Sequence, residues 1–333
     1  MSIRDRALGA MTGLALGDAL GMPTQAFNRS QIFQRYGAID GLRDATADQP
    51  IAPSMQAGSV TDDTEQAILV AGLLIDGHGT INPESFSKAL IAWESSMRER
   101  GSRDLLGPST KAAIDAIVAG DDPSKTGRYG TTNGAAMRIT PVAIATPTES
   151  LIKAVVESSY VTHNTGLGIS GAAAIAGAVG AGIDCAPVDH AIQAGLDLAE
   201  QASQEGHWIA GASIAARGRW ALRAAADLSD AELLDFVEQV IGTSVHSQES
   251  VVAALLLAYR YRDRPYEGLC QAAALGGDTD TIAAMCGAVL GASLGASAFP
   301  QDTVTTVLDV SRLKLAPVVD ALLDVRRSQI TPR

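Results

Sequence analysis

Residues Gly276-Gly277-Asp278-Thr279-Asp280-Thr281 run straight into Ile282-Ala283-Ala284-Met285-Cys286-Gly287, so two carboxylates and two hydroxyls stand at the head of an apolar segment. The apolar segment predicts a buried helix. The two glycines let the backbone turn sharply into it, and acidic groups at a helix start are favoured by its free N–H groups and dipole. Capping alone needs one acceptor. A second carboxylate two residues later adds like-charge repulsion, which a bound cation would remove. Further on, Gly287, Gly291 and Gly295 fall one turn apart on one face. Glycine at such positions costs helix stability, and close approach of another backbone is the expected return, so the reading is a central helix packed on all sides.

A stretch of the same kind lies far upstream, Ser59-Val60-Thr61-Asp62-Asp63-Thr64-Glu65, again at the start of a helix-periodic segment. Taken singly, either stretch reads first as an N-cap. If the fold brings the two together, Thr61, Asp62, Asp63, Asp278, Asp280 and Thr281 form an oxygen-only cluster. Hard divalent cations such as Mg²⁺ or Mn²⁺ take this ligand set, and four carboxylates carry enough charge for two of them.

The composition suits a helical protein with a large core. Of the 333 residues, 47% are hydrophobic but only 4% aromatic, so Ala, Leu, Ile and Val must build the interior. The net charge of −12 and absence of a basic run argue against nucleic acid or an anionic membrane as partner. Cys185, Cys270 and Cys286 are widely separated, without Cys-x-x-Cys spacing, and read as buried thiols of a reducing, cytoplasmic setting. Asp5 and Asp18 interrupt the first apolar stretch, against a signal peptide. Residues 167–183 and 282–299 are uncharged and near the length of a membrane span, but they are rich in Ala and Gly, and buried helices are expected. No dinucleotide-binding glycine motif, phosphate loop or Gly-x-Ser-x-Gly is present.

Along the chain, Arg4 to Gly17 predicts a helix ending in a loop at Asp18-Ala19-Leu20-Gly21-Met22-Pro23. Residues 37–58 have no clear period and lead into the Thr61 cluster, so a mobile flap over a substrate is expected. Helices are predicted over Thr64–Asp76, Pro83–Arg100 and Pro108–Val118. Asn133-Gly134 reads as a turn plus a helix start, with Arg138 either a substrate contact or a structural ion-pair partner. His163, next to a helix start, is either a histidine of the capping region or a substrate contact. The closing segment, residues 302–333, predicts one or two helices and a basic tail.

The two acidic stretches, together with Gly13-Leu14-Ala15-Leu16-Gly17-Asp18-Ala19-Leu20-Gly21 and Thr132-Asn133-Gly134-Ala135-Ala136-Met137-Arg138, resemble the signature motifs of the ADP-ribosylglycohydrolase family. The resemblance runs in family order from about residue 7 to about residue 297. It implies an all-α, many-helix fold forming one domain over residues 1–333, and a metal-dependent hydrolase with two divalent cations, Mg²⁺ or Mn²⁺. Thr61, Asp62, Asp63, Asp278, Asp280 and Thr281 would be the ligands. The expected reaction cleaves an N- or O-glycosidic bond at the ribose anomeric carbon of an ADP-ribosylated protein or ADP-ribose derivative, with Asp62 or Asp63 taking a proton from water. Asn133 and Gly134 are assigned to substrate binding by the same resemblance, as is His163, where the family often has a histidine near the ribose. Gln25 stands at the position where the family normally has a Glu. An amide can still coordinate or bind substrate but cannot act as a base, which opens two alternatives: hydrolysis of a smaller ribosyl compound such as a nucleoside, or a non-catalytic ADP-ribose-binding or crystallin-like relative.

Overall fold

A computed structural model of the chain describes residues 1–100 and 106–330. Among the described residues there are eighteen α-helices and no strand, as expected for an all-α protein. The central helix is Thr279–Leu294, and every residue from Thr279 to Ser293 is buried. Its glycine face meets the N-terminal helix, Ile3–Gly21. The two run antiparallel with their backbones in contact. A Cβ placed on Gly13 would lie 2.0 Å from the carbonyl oxygen of Gly287, one on Gly291 would lie 2.0 Å from that of Gly9, and one on Gly17 would lie 2.1 Å from that of Ala283. At the end of the series Gly21 abuts the backbone of Asp280. Glycine is the only residue that fits this spacing without moving a helix.

This packing corrects one expectation. The N-terminal helix does not stop at Gly17 but continues through Asp18-Ala19-Leu20 to Gly21. The glycines that read as helix breakers are contact surface. Because the helices are antiparallel, the C-terminal end of the first, with Asp18 and the following loop, lies at the N-terminus of the central helix. The loop is tied down there: Thr24 and Thr279 hydroxyls both donate to the carbonyl of Gly21, at 2.9 and 3.0 Å.

Asp18 brings in the third element, the helix Asp62–Asp76, whose start comes two residues earlier than its periodicity predicts. Its N-cap residue Thr61 makes no side-chain cap. The carboxylate of Asp18, fully buried, takes over the role from another helix. It accepts the backbone N–H groups of Thr61 (2.9 Å) and Thr64 (3.1 Å) and the Thr61 hydroxyl (2.7 Å). Burial still pushes the Asp18 carboxyl up to about 6, against the four hydrogen bonds from Thr64 and Thr61 that favour its ionised form.

The remaining helices wrap this pair in a core that extends from Ala7 to Val325. Gly166–Ile183 is long and apolar enough to cross a membrane, yet 89% of it is buried inside the protein, as for a core helix. Cys270 and Cys286 are buried as expected, whereas Cys185 is exposed, in a turn at φ 78° after that helix. The expected basic tail ends outside the described residues.

Gly13→Ala should destabilise the protein by about 1–3 kcal/mol or more, because a Cβ has to push two backbones apart. Gly72, in the middle of Asp62–Asp76 with nothing within 4 Å of an added Cβ, is the control. Gly72→Ala should stabilise by about 0.5–1 kcal/mol through helix propensity alone. Chemical denaturation of the two variants measures both.

Candidate active site

The two acidic helix starts converge. The Thr281 hydroxyl reaches Asp63 Oδ2 at 3.3 Å across 218 positions of sequence, and the Thr61 hydroxyl reaches the same oxygen at 3.2 Å. Asp278, at the N-cap position of the central helix, makes no cap bond there, just as Thr61 makes none at its own helix. Ordinary capping therefore does not account for either motif. Both helices instead aim the positive ends of their dipoles at one group of carboxylates.

The backbone into Asp278 is built from glycine at two positive-φ positions, Gly276 at 83° and Gly277 at 79°. A Cβ on Gly277 would also lie 2.3 Å from the Thr243 carbonyl. The turn is held from both sides, by Gly277 N–H to Phe27 O (2.9 Å) and Asp278 N–H to Thr243 O (2.8 Å). The neighbouring loop is fixed by Asn133 N–H to Val245 O (2.9 Å) and Ser247 Oγ to Thr132 O (2.8 Å). Asn133 then donates through Nδ2 to Asp278 Oδ2 and to Ser250 Oγ, the latter at 2.9 Å. Burial lifts the Asp278 carboxyl to about 6, opposed by the hydrogen bonds from Asn133 and Thr281.

Between these elements lies a cavity of about 270 Å³. Gln25, Asp62, Asn133, Gly134, Asp278, Asp280 and Thr281 all line it, together with Thr132 and Ile51. Ile51 comes from the long segment 37–58, which thus reaches the site; Gln49 ties that segment to the carbonyl of Gln25 at 3.0 Å. Thr61 and Asp63 sit deeper, 0% and 1% exposed, beneath the cavity wall. His163 is placed differently from the other expected contacts. It is fully buried behind the wall, with Nε2 3.0 Å from Thr132 Oγ1 and Nδ1 2.8 Å from Thr162 Oγ1. Burial, reinforced by the nearby Arg138 guanidinium, holds its imidazole well below its ordinary range, hence neutral.

Three residues at or behind the site, Asp18, Thr132 and Gln66, escape a reading by motif chemistry, and a fourth, Arg138, has a different role from the two expected. Asp18 had one visible signal, a carboxylate inside an apolar, glycine-periodic helix. Thr132 lines the cavity next to Asn133 but reads as a turn residue. Gln66 donates to Asp62 Oδ2 at 2.9 Å, and Arg138, 2% exposed, donates to Gln66 Oε1 at 2.7 Å. Gln66 is not distinguishable in sequence from an exposed residue on the same helix, and Arg138, expected as a substrate contact or an ion-pair partner, lies behind the cavity wall on Gln66 and Thr162.

The donor set suits a hard cation. Among the described residues no three Asp, Glu, His or Cys side chains form a metal site by themselves. The group is made up of carboxylates and the hydroxyls of Thr61 and Thr281, all oxygen, without the nitrogen or sulfur that a softer ion would select.

The profile of the ADP-ribosylglycohydrolase family matches residues 1–331. The chain is 31% identical over 329 residues to the uncharacterized protein YegU of Escherichia coli K12, covering 98% of both. It is 29% identical to the ADP-ribosyl-[dinitrogen reductase] glycohydrolase of Rhodospirillum rubrum, covering 97% of both. A solved structure titled ADP-ribosylglycohydrolase-related protein complex superposes with a TM-score of 0.67 at 25% identity, over 98% of each chain. The chain belongs to the ADP-ribosylglycohydrolase family, whose members are glycosidic-bond hydrolases.

Proposed function

We propose that the protein hydrolyses an N- or O-glycosidic bond at the anomeric carbon of a ribose, in an ADP-ribosylated protein or an ADP-ribose derivative, with divalent cations in the acidic site. The observation that carries this reading is the meeting of the 61–63 and 278–281 segments at one cavity, with the Asn133-Gly134 turn in its lining beside Asp278. The names of the relatives agree, since one is a glycohydrolase of ADP-ribosylated dinitrogen reductase.

Thr61, Asp62, Asp63, Asp278, Asp280 and Thr281 are the residues that would hold two ions, Mg²⁺ or Mn²⁺. Bound there, the ions would polarise water and ribose hydroxyls. The chain's own groups divide the remaining work. Asp62 lines the cavity, with Oδ2 anchored by Gln66, and is the carboxylate placed to take a proton from the attacking water as positive charge develops on the sugar. Asp63, below it, accepts the Thr281 hydroxyl across the two helix starts and lies 3.2 Å from the Thr61 hydroxyl, whose proton goes to Asp18. Asn133 fixes the orientation of Asp278, and Gly134 keeps the wall thin: a Cβ there would meet the His163 ring at 3.0 Å.

Two observations favour a second reading, a smaller ribosyl substrate such as a nucleoside. Gln25 brings no charge to the cavity, and about 270 Å³ lies below the usual range of roughly 300–1,000 Å³ for ligand pockets. The readings separate in one assay. Mg²⁺-dependent release of ADP-ribose from peptides modified on arginine or serine supports the first, and turnover of free nucleosides alone replaces it with the second. Chelation by EDTA should abolish the activity, and Mg²⁺ or Mn²⁺ should restore it. Activity that survives chelation would contradict the metal assignment. Asp62→Asn should lower kcat by about 10²–10⁴-fold, the usual range for loss of a general base, with KM changing far less. A kcat close to wild type would move the base elsewhere.

A further inference from the structure

Behind the cavity wall runs a buried chain of hydrogen bonds, Asp62–Gln66–Arg138–Thr162–His163–Thr132, whose two ends both line the cavity. Its middle is the Arg138 guanidinium, 2% exposed, with Cζ 4.9 Å from the centroid of the Phe86 ring. Burial works against its charge, and the carboxylate of Asp62 favours it. A guanidinium can only donate, so its two neighbours in the chain, Gln66 Oε1 and Thr162 Oγ1, are acceptors towards it.

Towards the acidic helix, Arg138 Nη1 donates to Gln66 Oε1 at 2.7 Å, which obliges the amide nitrogen of Gln66 to face Asp62 Oδ2 at 2.9 Å. The flipped amide would set donor against donor. In the other direction Nη2 donates to Thr162 Oγ1 at 2.7 Å. The Thr162 hydroxyl is 0% exposed and has one other partner among the described residues, His163 Nδ1 at 2.8 Å. A proton left unpaired there would be out of reach of water, whereas one on Thr132 faces the cavity, so Thr162 donates and Nδ1 is the acceptor. The imidazole, kept neutral by burial and by Arg138, then carries its proton on Nε2 and donates it to Thr132 Oγ1 at 3.0 Å. Thr132 Oγ1 accepts that bond and has no acceptor for its own proton among the described residues, while its side of the turn faces the cavity.

We propose that Arg138 is a positioning residue that polarises this chain, so that the Thr132 hydroxyl serves as a binding donor for an acceptor oxygen of the ligand while Gln66 holds Asp62 as an acceptor. The identity of that ligand rests on the ribosyl-hydrolase reading; the direction of the chain does not.

Two experiments keep these apart. In the ligand-free wild-type protein, ¹⁵N chemical shifts should show His163 as the Nε2–H tautomer from pH 6 to 8, and an Nδ1–H tautomer would overturn the proposal whatever the substrate is. With ADP-ribose as probe in calorimetry, Thr132→Val should raise Kd about tenfold and Thr132→Ser by no more than about twofold, the scale of one hydrogen bond lost or kept. A Thr132→Val protein that binds ADP-ribose like wild type would also overturn it. Arg138→Lys keeps the charge but not the two-pronged donor, and should mix the two His163 tautomers and weaken ADP-ribose binding several-fold; a single unchanged tautomer would remove Arg138 from its role. If that variant does not fold, the wild-type tautomer and the Thr132 pair decide. Wild-type protein that shows no affinity for ADP-ribose would count against the substrate reading, leaving the tautomer to judge the chain.

Discussion

Everything at the site depends on two helices approaching until their backbones touch. Gly9, Gly13 and Gly17 meet Gly291, Gly287 and Ala283 in antiparallel order, and the series runs out where Gly21 lies against Asp280. A contact of this kind has little tolerance, since each glycine is stopped by a carbonyl rather than by a flexible side chain. It fixes the separation and the register of the two helices together. With the register fixed, the end of the first helix can only lie at the start of the other, and Asp18 then holds the helix that starts at Asp62 against the same point. Three helix ends, at Gly21, Asp62 and Thr279, the last more than 200 residues from the other two, are thereby brought together beside one cavity.

The price of this arrangement is electrostatic. Asp18 and Asp278 are buried among other carboxylates, and burial raises both to about 6 from an ordinary value of 3.8. A carboxyl that titrates higher in the folded than in the unfolded chain weakens the fold as pH rises through that interval, and the loss is complete above about 6. Helix dipoles, hydroxyl donors and the Asn133 amide offset part of it. Divalent cations would offset more, and would convert a destabilising cluster into a ligand set.

Much of this was legible in the sequence. The paired Asp-rich helix starts, the glycine face of the central helix and the absence of any other strong motif pointed to one site in an all-α chain. The N-terminal helix was misread at its end, because Gly17 and Gly21 look like terminators until their partner helix is known. Glycine spacing shows that something packs closely, but which backbone does so is a tertiary fact. Gln66 was illegible for a similar reason, and for Arg138 the sequence leaves a substrate contact and an ion pair both open. A polar residue on a helix gains a role only when burial removes water as its partner, and burial depends on what covers it. His163 shows the converse: it was visible as a candidate contact, yet its ring is spent on two threonines one layer behind the cavity.

The central claim is that the segments around residues 62 and 280 form a single cation site. Anomalous scattering from crystals grown with Mn²⁺ tests it most directly. Two manganese peaks enclosed by the side chains of Thr61, Asp62, Asp63, Asp278, Asp280 and Thr281 are expected. Manganese found elsewhere, or none at this cavity at millimolar concentration, would contradict the account.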